Sequence, residues 1–109
     1  MTAEHMMEHY FASELLVSNY DKKGTPRLRV SLRTRDYKFM SPNGDLVHLV
    51  EMILKRQNGD LVKLEYPRIS KGTSQGNYTP HYINVPTTEV EKYGFKPNEP
   101  VAVTVKWLV

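Results

Sequence analysis

The chain has 109 residues, 39% of them hydrophobic and 25% charged, which is the composition of a folded protein with one core of its own. Fifteen lysines and arginines stand against twelve acidic residues, and a net charge of +3 permits a nucleic-acid partner without requiring one. The lack of cysteine excludes disulfides, cysteine-based zinc sites, iron–sulfur clusters and thiol nucleophiles. No segment has the length and apolar character of a membrane span, and the first residues lack the pattern of a secretion signal. We therefore expect a cytoplasmic protein with no membrane partner.

The first 25 residues are interpreted as a possible N-terminal helix or arm of a single domain that spans residues 1–109. Thr2 is a suitable helix cap, and the apolar residues within 6–11 follow an approximate helical spacing, whereas residues 14–20 suit a strand equally well. If the helix forms, His5 and His9 match the H-x-x-E-H pattern of inverted zinc proteases. The chain is too short to add a protease cleft, so we expect neither a metal nor a cofactor.

Residues 27–35 alternate between apolar and polar side chains, which predicts a strand. Its polar face carries four arginines, namely Arg27, Arg29, Arg33 and Arg35. The window from Lys22 to Lys38 holds seven basic residues and one acidic residue, so it carries +6 while the rest of the chain carries −3. The charge of this protein is therefore concentrated on one predicted strand and its flanks.

Arginines at alternate strand positions would be about 6.6 Å apart, close to the roughly 7 Å between successive phosphates of a nucleic-acid strand. Guanidinium groups also donate paired hydrogen bonds to phosphate or guanine. Two other interpretations stay open, a solvated face that prevents edge-to-edge aggregation and a patch for an acidic protein. We favour nucleic-acid contact because no glutamate interleaves with the arginines.

The middle of the chain predicts a hairpin followed by a loop. Asn58-Gly59 is the preferred turn of a type I′ hairpin and joins residues 46–57 to residues 60–66. Residues 70–80 are polar and predict a mobile loop. Arg68 and Lys71 lie near its start, where the backbone amides of a glycine-rich turn can hold a phosphate. The loop lacks the residue order of a P-loop, so nucleotide hydrolysis is not expected, and a plain flexible connection is the alternative.

The C-terminal part predicts a strand, a short helix and a second strand. Residues 81–85 form the first strand, which ends at Pro86. A two-turn helix follows over residues 87–93, with Thr87 as its cap and Gly94 as its stop. Residues 101–109 alternate as a final strand, in which Trp107 faces the core.

This order of segments resembles the swapped-hairpin pattern of AbrB-type DNA-binding domains, in which an apolar strand ending in proline, a short helix, a turn and a valine-rich strand follow one another. The segment Lys71-Gly72-Thr73-Ser74 resembles the Lys-x-Gly-x-Ser hairpin that precedes the proline strand in many members. The resemblance covers residues 68–107. It implies an intertwined homodimer that contacts DNA, with Arg68 and Lys71 in the matching hairpin.

We therefore expect a mainly β protein, a small barrel or rolled antiparallel sheet of five to six strands with one or two short helices. The functional hypothesis is a small dimeric DNA-binding regulator, or an RNA-binding protein, that contacts phosphates through the arginine strand. No catalytic set can be located by spacing, so we expect no enzymatic activity. The predicted contact residues are Arg27, Arg29, Arg33, Arg35, Lys38, Arg68 and Lys71. Several aromatic residues are candidates for stacking on bases, namely Tyr37, Phe39, Tyr66, Tyr78 and Tyr82. The alternative is a protein-interaction module, an inhibitor or an assembly subunit, that uses the same basic face against an acidic partner.

Overall fold

A computed structural model describes residues 5–44 and 46–109. These residues form seven strands and two helices, in the order β1 (Met6–Tyr20), β2 (Pro26–Leu32), α1 (Thr34–Met40), β3 (Leu49–Arg56), β4 (Leu61–Glu65), β5 (Ile69–Lys71), β6 (His81–Asn84), α2 (Thr87–Tyr93) and β7 (Pro100–Leu108). All neighbouring strands pair antiparallel in one sheet of order β4-β3-β7-β1-β2-β6-β5. The sheet curls into a half-barrel, so the prediction of a mainly β rolled sheet with short helices is confirmed, with more strands than the five to six expected.

The long strand β1 connects the two halves of the sheet, because it pairs with two different strands. Its residues 6–14 pair with β7, and its residues 15–20 pair with β2. The predicted N-terminal helix is therefore wrong from Met6 onwards, and its proposed cap Thr2 lies outside the described residues. His5 precedes β1 and His9 lies within it. Four residues of extended chain span about 13 Å, so the two imidazoles do not meet as they would on one helix face.

The core lies on the concave side of the half-barrel. Every second residue of the central strands points inward, as Val103 and Val105 of β7 do, and both are almost completely buried. Trp107 is 5% exposed, which confirms its predicted place in the core. Helix α2 contributes Val90 to this core and ends at Gly94, whose φ of 65° is the left-handed conformation expected of the stop residue.

Helix α1 begins where the sequence predicted that the arginine strand would continue. Strand β2 ends at Leu32, and α1 starts two residues later at Thr34. In the helix, Asp36 and Met40 lie four residues apart on one side and are both buried. The prediction of one arginine strand over residues 27–35 is therefore wrong in its second half.

The two edge strands of the sheet are consecutive in the chain. The hairpin of β3 and β4 turns at Asn58-Gly59, as predicted, and places β4 at one edge. Only residues 66–68 separate β4 from β5, which forms the opposite edge. A cleft of about 580 Å³, which we call the seam, is lined by β4, the connection to β5, the end of β6 and the start of α2, with Leu64, Arg68, Asn84 and Glu89 among its residues.

Candidate nucleic-acid interface

The outer, convex side of β2, β6 and β5 collects several polar side chains. Arg29 pairs with Asn84, and Tyr82 pairs with Ser31 on one side and with Ser70 on the other. Paired residues of antiparallel strands point to the same side of a sheet. Their neighbours Val30 and Ile83 are buried in the core, so this set faces outward. We call this surface the basic face and define it by Arg27, Arg29, Ser70, Tyr82 and Asn84. Lys71 pairs with His81, which pairs in turn with the buried Leu32, so Lys71 leaves the end of the edge strand β5 on the core side.

A stack of Arg29 on Tyr82 lies at the centre of the basic face. The guanidinium carbon of Arg29 is 3.7 Å from the centroid of the Tyr82 ring, and the Nε atom is buried with no hydrogen-bond partner in the part of the chain that the structure describes. The attraction between a cation and an aromatic ring contributes about 0.5–2 kcal/mol. The stack therefore fixes the plane of the guanidinium while leaving its hydrogen-bonding capacity unsaturated.

A polar pocket of about 570 Å³, which we call the Arg29 pocket, lies beside this stack. Its lining consists of Arg29, Lys71, Gly72, Thr73, Gln75, Pro80 and Tyr82. A Cβ atom at Gly72 would lie 2.7 Å from the Tyr82 ring and 2.8 Å from Pro80, so only glycine lets the chain pass this close. The Gly72 N–H also donates a hydrogen bond of 2.8 Å to the Pro80 carbonyl.

The segment that the sequence predicted as a mobile loop is partly ordered by the sheet. Lys71 belongs to β5 and pairs with His81 of β6, and Gln75 forms an isolated bridge with Tyr78. Burial and the positive charge of Lys71 lower the pKa of His81 from its ordinary value.

The predicted contact residues are distributed over three places. Arg29 and Lys71 meet in the Arg29 pocket, and Arg27 lies two positions along β2 on the same outward side. Arg33 occupies the N-cap of α1 and lines a shallow groove with Ser31, so it borders the basic face. Three further residues lie elsewhere, Arg35 and Lys38 on α1 and Arg68 at the seam. Within the described residues, none of the seven predicted contact residues has a carboxylate within 4 Å.

Helix α1 is fixed to the sheet by two contacts that the sequence did not indicate. The Nε2 atom of His9 lies 2.8 Å from Oδ1 of the buried Asp36. The ring of Tyr37 stacks on His81 with 3.7 Å between centroids. Both contacts join residues far apart in sequence, so no local pattern reveals them. They fix α1 against β1 and β6.

The outer side of the other half of the sheet contains an ion-pair ladder instead. Glu51 of β3 lies 2.8 Å from the Lys63 ammonium and 3.2 Å from that of Lys106, which in turn lies 3.4 Å from Glu8. These four residues come from four adjacent strands, β4, β3, β7 and β1. We call this surface the charge-paired face.

Arg56, at the end of β3, shows how a neutralised arginine is held in this fold. Its guanidinium lies 4.8 Å from the Phe95 ring, as Arg29 lies over Tyr82, but it also binds Glu99 through Nε at 2.7 Å and Nη2 at 2.9 Å. The hydrogen bond to Glu99 raises the pKa of Arg56. Arg29 has the aromatic contact but no carboxylate within 4 Å among the described residues, so its charge is available to a ligand.

No family model, curated protein or solved structure matches this chain. The resemblance to AbrB-type domains and the homodimer that it implies therefore stay predictions. Among residues 5–44 and 46–109, no group of three or more histidine and acidic side chains is placed to hold a metal ion. The helices in these same ranges are too short to cross a membrane.

Proposed function

We propose that this protein binds nucleic acid through the basic face, with a small dimeric DNA-binding regulator as its expected biological role. One observation carries the proposal. Arg29 is stacked on Tyr82 beside Lys71, and no described carboxylate neutralises either cation. A fixed guanidinium next to a mobile ammonium suits a phosphate backbone, because the first gives directed hydrogen bonds and the second gives charge.

The charge distribution supports the same proposal. A cation that replaces a condensed counterion on a phosphate chain releases that counterion, and this release drives binding at low salt. Among the described residues, no carboxylate lies within 4 Å of Arg27, Arg29 or Lys71, whereas Lys63 and Lys106 already bind carboxylates. We therefore expect the free energy of binding to come mainly from the basic face, although cations are present on both sides of the molecule.

An acidic protein is the second candidate partner, because its carboxylates would meet the same cations. The Arg29 pocket favours nucleic acid over such a partner. It combines a glycine-containing turn, hydroxyl and amide side chains and an arginine stacked on an aromatic ring, and these groups suit phosphates and bases together.

The proposal is tested by fluorescence anisotropy with labelled DNA and RNA of random sequence, single-stranded and duplex, at about 50 mM salt. We expect micromolar or tighter dissociation constants that weaken steeply as salt is raised. If no nucleic acid binds under these conditions, the proposal is wrong, and an acidic protein becomes the better candidate.

The contact surface is tested by two variants of equal charge. Arg27→Ala/Arg29→Ala removes two cations from the basic face, and Lys55→Ala/Lys63→Ala removes two from the outer side of β3 and β4. We expect the arginine variant to bind at least about tenfold more weakly and to lose up to about two units of salt slope, while the lysine variant changes affinity less than about threefold. Equal losses in the two variants would show that net charge alone drives binding and would contradict a contact on the basic face.

A further inference from the structure

We infer that the basic face takes single-stranded nucleic acid in preference to duplex. The inference rests on the proposed function and adds the class of substrate. It follows from three features, namely the curvature of the sheet, the Arg29–Tyr82 stack and the Arg29 pocket.

The curvature of the half-barrel is the first feature. The core fills its concave side, so the basic face is the convex side. Duplex DNA is also convex and is stiff over about 150 base pairs, so it would contact this surface over a short length only. A single strand bends freely at each nucleotide. It can therefore follow β2, β6 and β5, place successive phosphates on Arg27 and Arg29, and reach Lys71 in the Arg29 pocket at the end of β5.

The Arg29–Tyr82 stack is the second feature. Tyr82 covers one face of the guanidinium, so a ligand in the pocket meets the opposite face and the edge. Guanidinium planes are stacking platforms for bases in protein–RNA complexes, but only for bases that are not already stacked in a duplex. A single strand can insert a base against Arg29, whereas a duplex would first have to extrude one.

The Arg29 pocket is the third feature. Its volume of about 570 Å³ lies within the roughly 300–1,000 Å³ of sites that hold small organic ligands. Lys71 supplies a cation, and Thr73 and Gln75 supply hydroxyl and amide donors. The pocket can therefore receive one nucleotide, with its phosphate near Lys71 and its base near Arg29. A nucleotide within a duplex cannot reach into a recess in this way.

The inference is tested with one labelled strand of about 12 nucleotides, free of self-complementarity, measured alone and annealed to its complement. DNA and RNA versions form two arms of the experiment. We expect the single strand to bind at least about tenfold more tightly than its duplex in one arm or both. A duplex that binds as tightly as the single strand, or more tightly, overturns the inference and leaves the proposed function standing. Absence of binding in every arm instead shows that the proposed function itself is wrong.

A matched pair of variants tests the stack. Tyr82→Leu removes the ring under Arg29 without changing any charge, and Tyr10→Leu removes a tyrosine that is 69% exposed on β1. We expect Tyr82→Leu to weaken single-strand binding at least about fivefold with little effect on duplex binding, and Tyr10→Leu to change neither. Unchanged single-strand affinity in Tyr82→Leu overturns the inference.

If Tyr82→Leu fails to fold in a thermal unfolding assay, Lys71→Gln tests the same pocket. Lys71 is exposed at the end of β5, so its replacement leaves the core intact. We expect weaker single-strand binding and a salt slope reduced by about 0.7, the value for one contact with a single strand. An unchanged slope places the strand outside the pocket and overturns the inference.

Discussion

The outer sides of the two halves of the sheet differ in whether their cations are paired with carboxylates. On the charge-paired face, lysines and glutamates of four adjacent strands alternate, and each ammonium lies within 4 Å of a carboxylate. On the basic face, Arg29 lines a pocket that Lys71 also borders, and no carboxylate of the described residues lies within 4 Å of either cation. The two faces are parts of one continuous sheet, so the difference does not come from the backbone.

The comparison of Arg29 with Arg56 shows what this difference means for a ligand. Both guanidinium groups lie over aromatic rings, but only Arg56 is held by a bidentate carboxylate and a backbone carbonyl. An arginine with these partners has a structural role. An arginine with the ring alone is oriented but not neutralised, and this is the state that suits a binding residue.

The largest expected effect is a loss of stability on weakening β1, the strand that joins the two halves of the sheet. Leu15 is completely buried and lies where β1 leaves β7 and joins β2. We expect Leu15→Ala to lower the free energy of unfolding by about 2–5 kcal/mol in urea titrations. We also expect the tryptophan fluorescence of β7 and the hydrogen exchange of β2 and β6 to report one common transition.

The control for Leu15→Ala is Leu61→Ala, because Leu61 is 66% exposed at the edge of the sheet. Its effect should stay within about 0.5 kcal/mol. Two separate transitions in Leu15→Ala, with β7 still protected while β2 and β6 exchange, would show that the halves are independent units.

A smaller effect is expected from making the charge-paired face resemble the basic face. Glu8→Gln/Glu51→Gln removes the carboxylates of the ion-pair ladder and raises the formal net charge from +3 to +5. We expect a loss of about 1–2 kcal/mol in stability, because Glu51 and Lys106 are partly shielded from water. Affinity for nucleic acid should rise a few-fold at about 50 mM salt, as released lysines add phosphate contacts.

The added affinity should not discriminate between single strand and duplex, because the ladder has no arginine stack. Anisotropy with both forms of one oligonucleotide measures this. Unchanged affinity for both would mean that neutralisation by carboxylates is not what separates the two faces.

The smallest effect concerns the titration of His81. Burial and Lys71 lower its pKa from the ordinary value of 6.5, so the unfolded chain binds a proton more readily than the folded one. Stability from this group is therefore fully present above pH 6.5 and is lost as the pH falls through the folded pKa. We expect Lys71→Gln to move the pKa of His81 upwards, as measured by NMR titration of the imidazole. Lys96→Gln is the control, and an unchanged pKa in Lys71→Gln would show that Lys71 does not act on His81.

Several elements of the fold could be predicted because their signals are local. The turn at Asn58-Gly59, the stop at Gly94 and the alternation in β7 each depend on neighbouring residues, and each is found in the structure. The first part of β1 was interpreted as a helix because His9 and Ser13 occupy inward positions and interrupt its alternation, whereas residues 14–20 were also compatible with a strand.

The candidate site was only partly visible in the sequence for a related reason. The excess of charge over residues 22–38 marked β2, but the strand was extended too far because Arg33 and Arg35 continue the polar half of its pattern. The buried side of α1 consists of Asp36 and Met40. Because aspartate is rarely buried, the sequence did not indicate that this side faces the core. The meeting of Arg29 with Lys71 depends on the order of strands in the sheet, which pairs distant segments and cannot be derived from local spacing.

The short connection between β4 and β5 limits how far the two edges of the half-barrel can move apart. Strands β4 and β5 form opposite edges of the sheet, yet only residues 66–68 connect them. Four chain steps from Glu65 to Ile69 span at most about 14 Å, so this tether restrains the mouth of the half-barrel however the rest of the sheet moves. The same short tether carries Arg68, which lines the seam. Any partner that spread the strands apart would have to break β4 or β5 from its neighbour before the mouth could widen beyond this length.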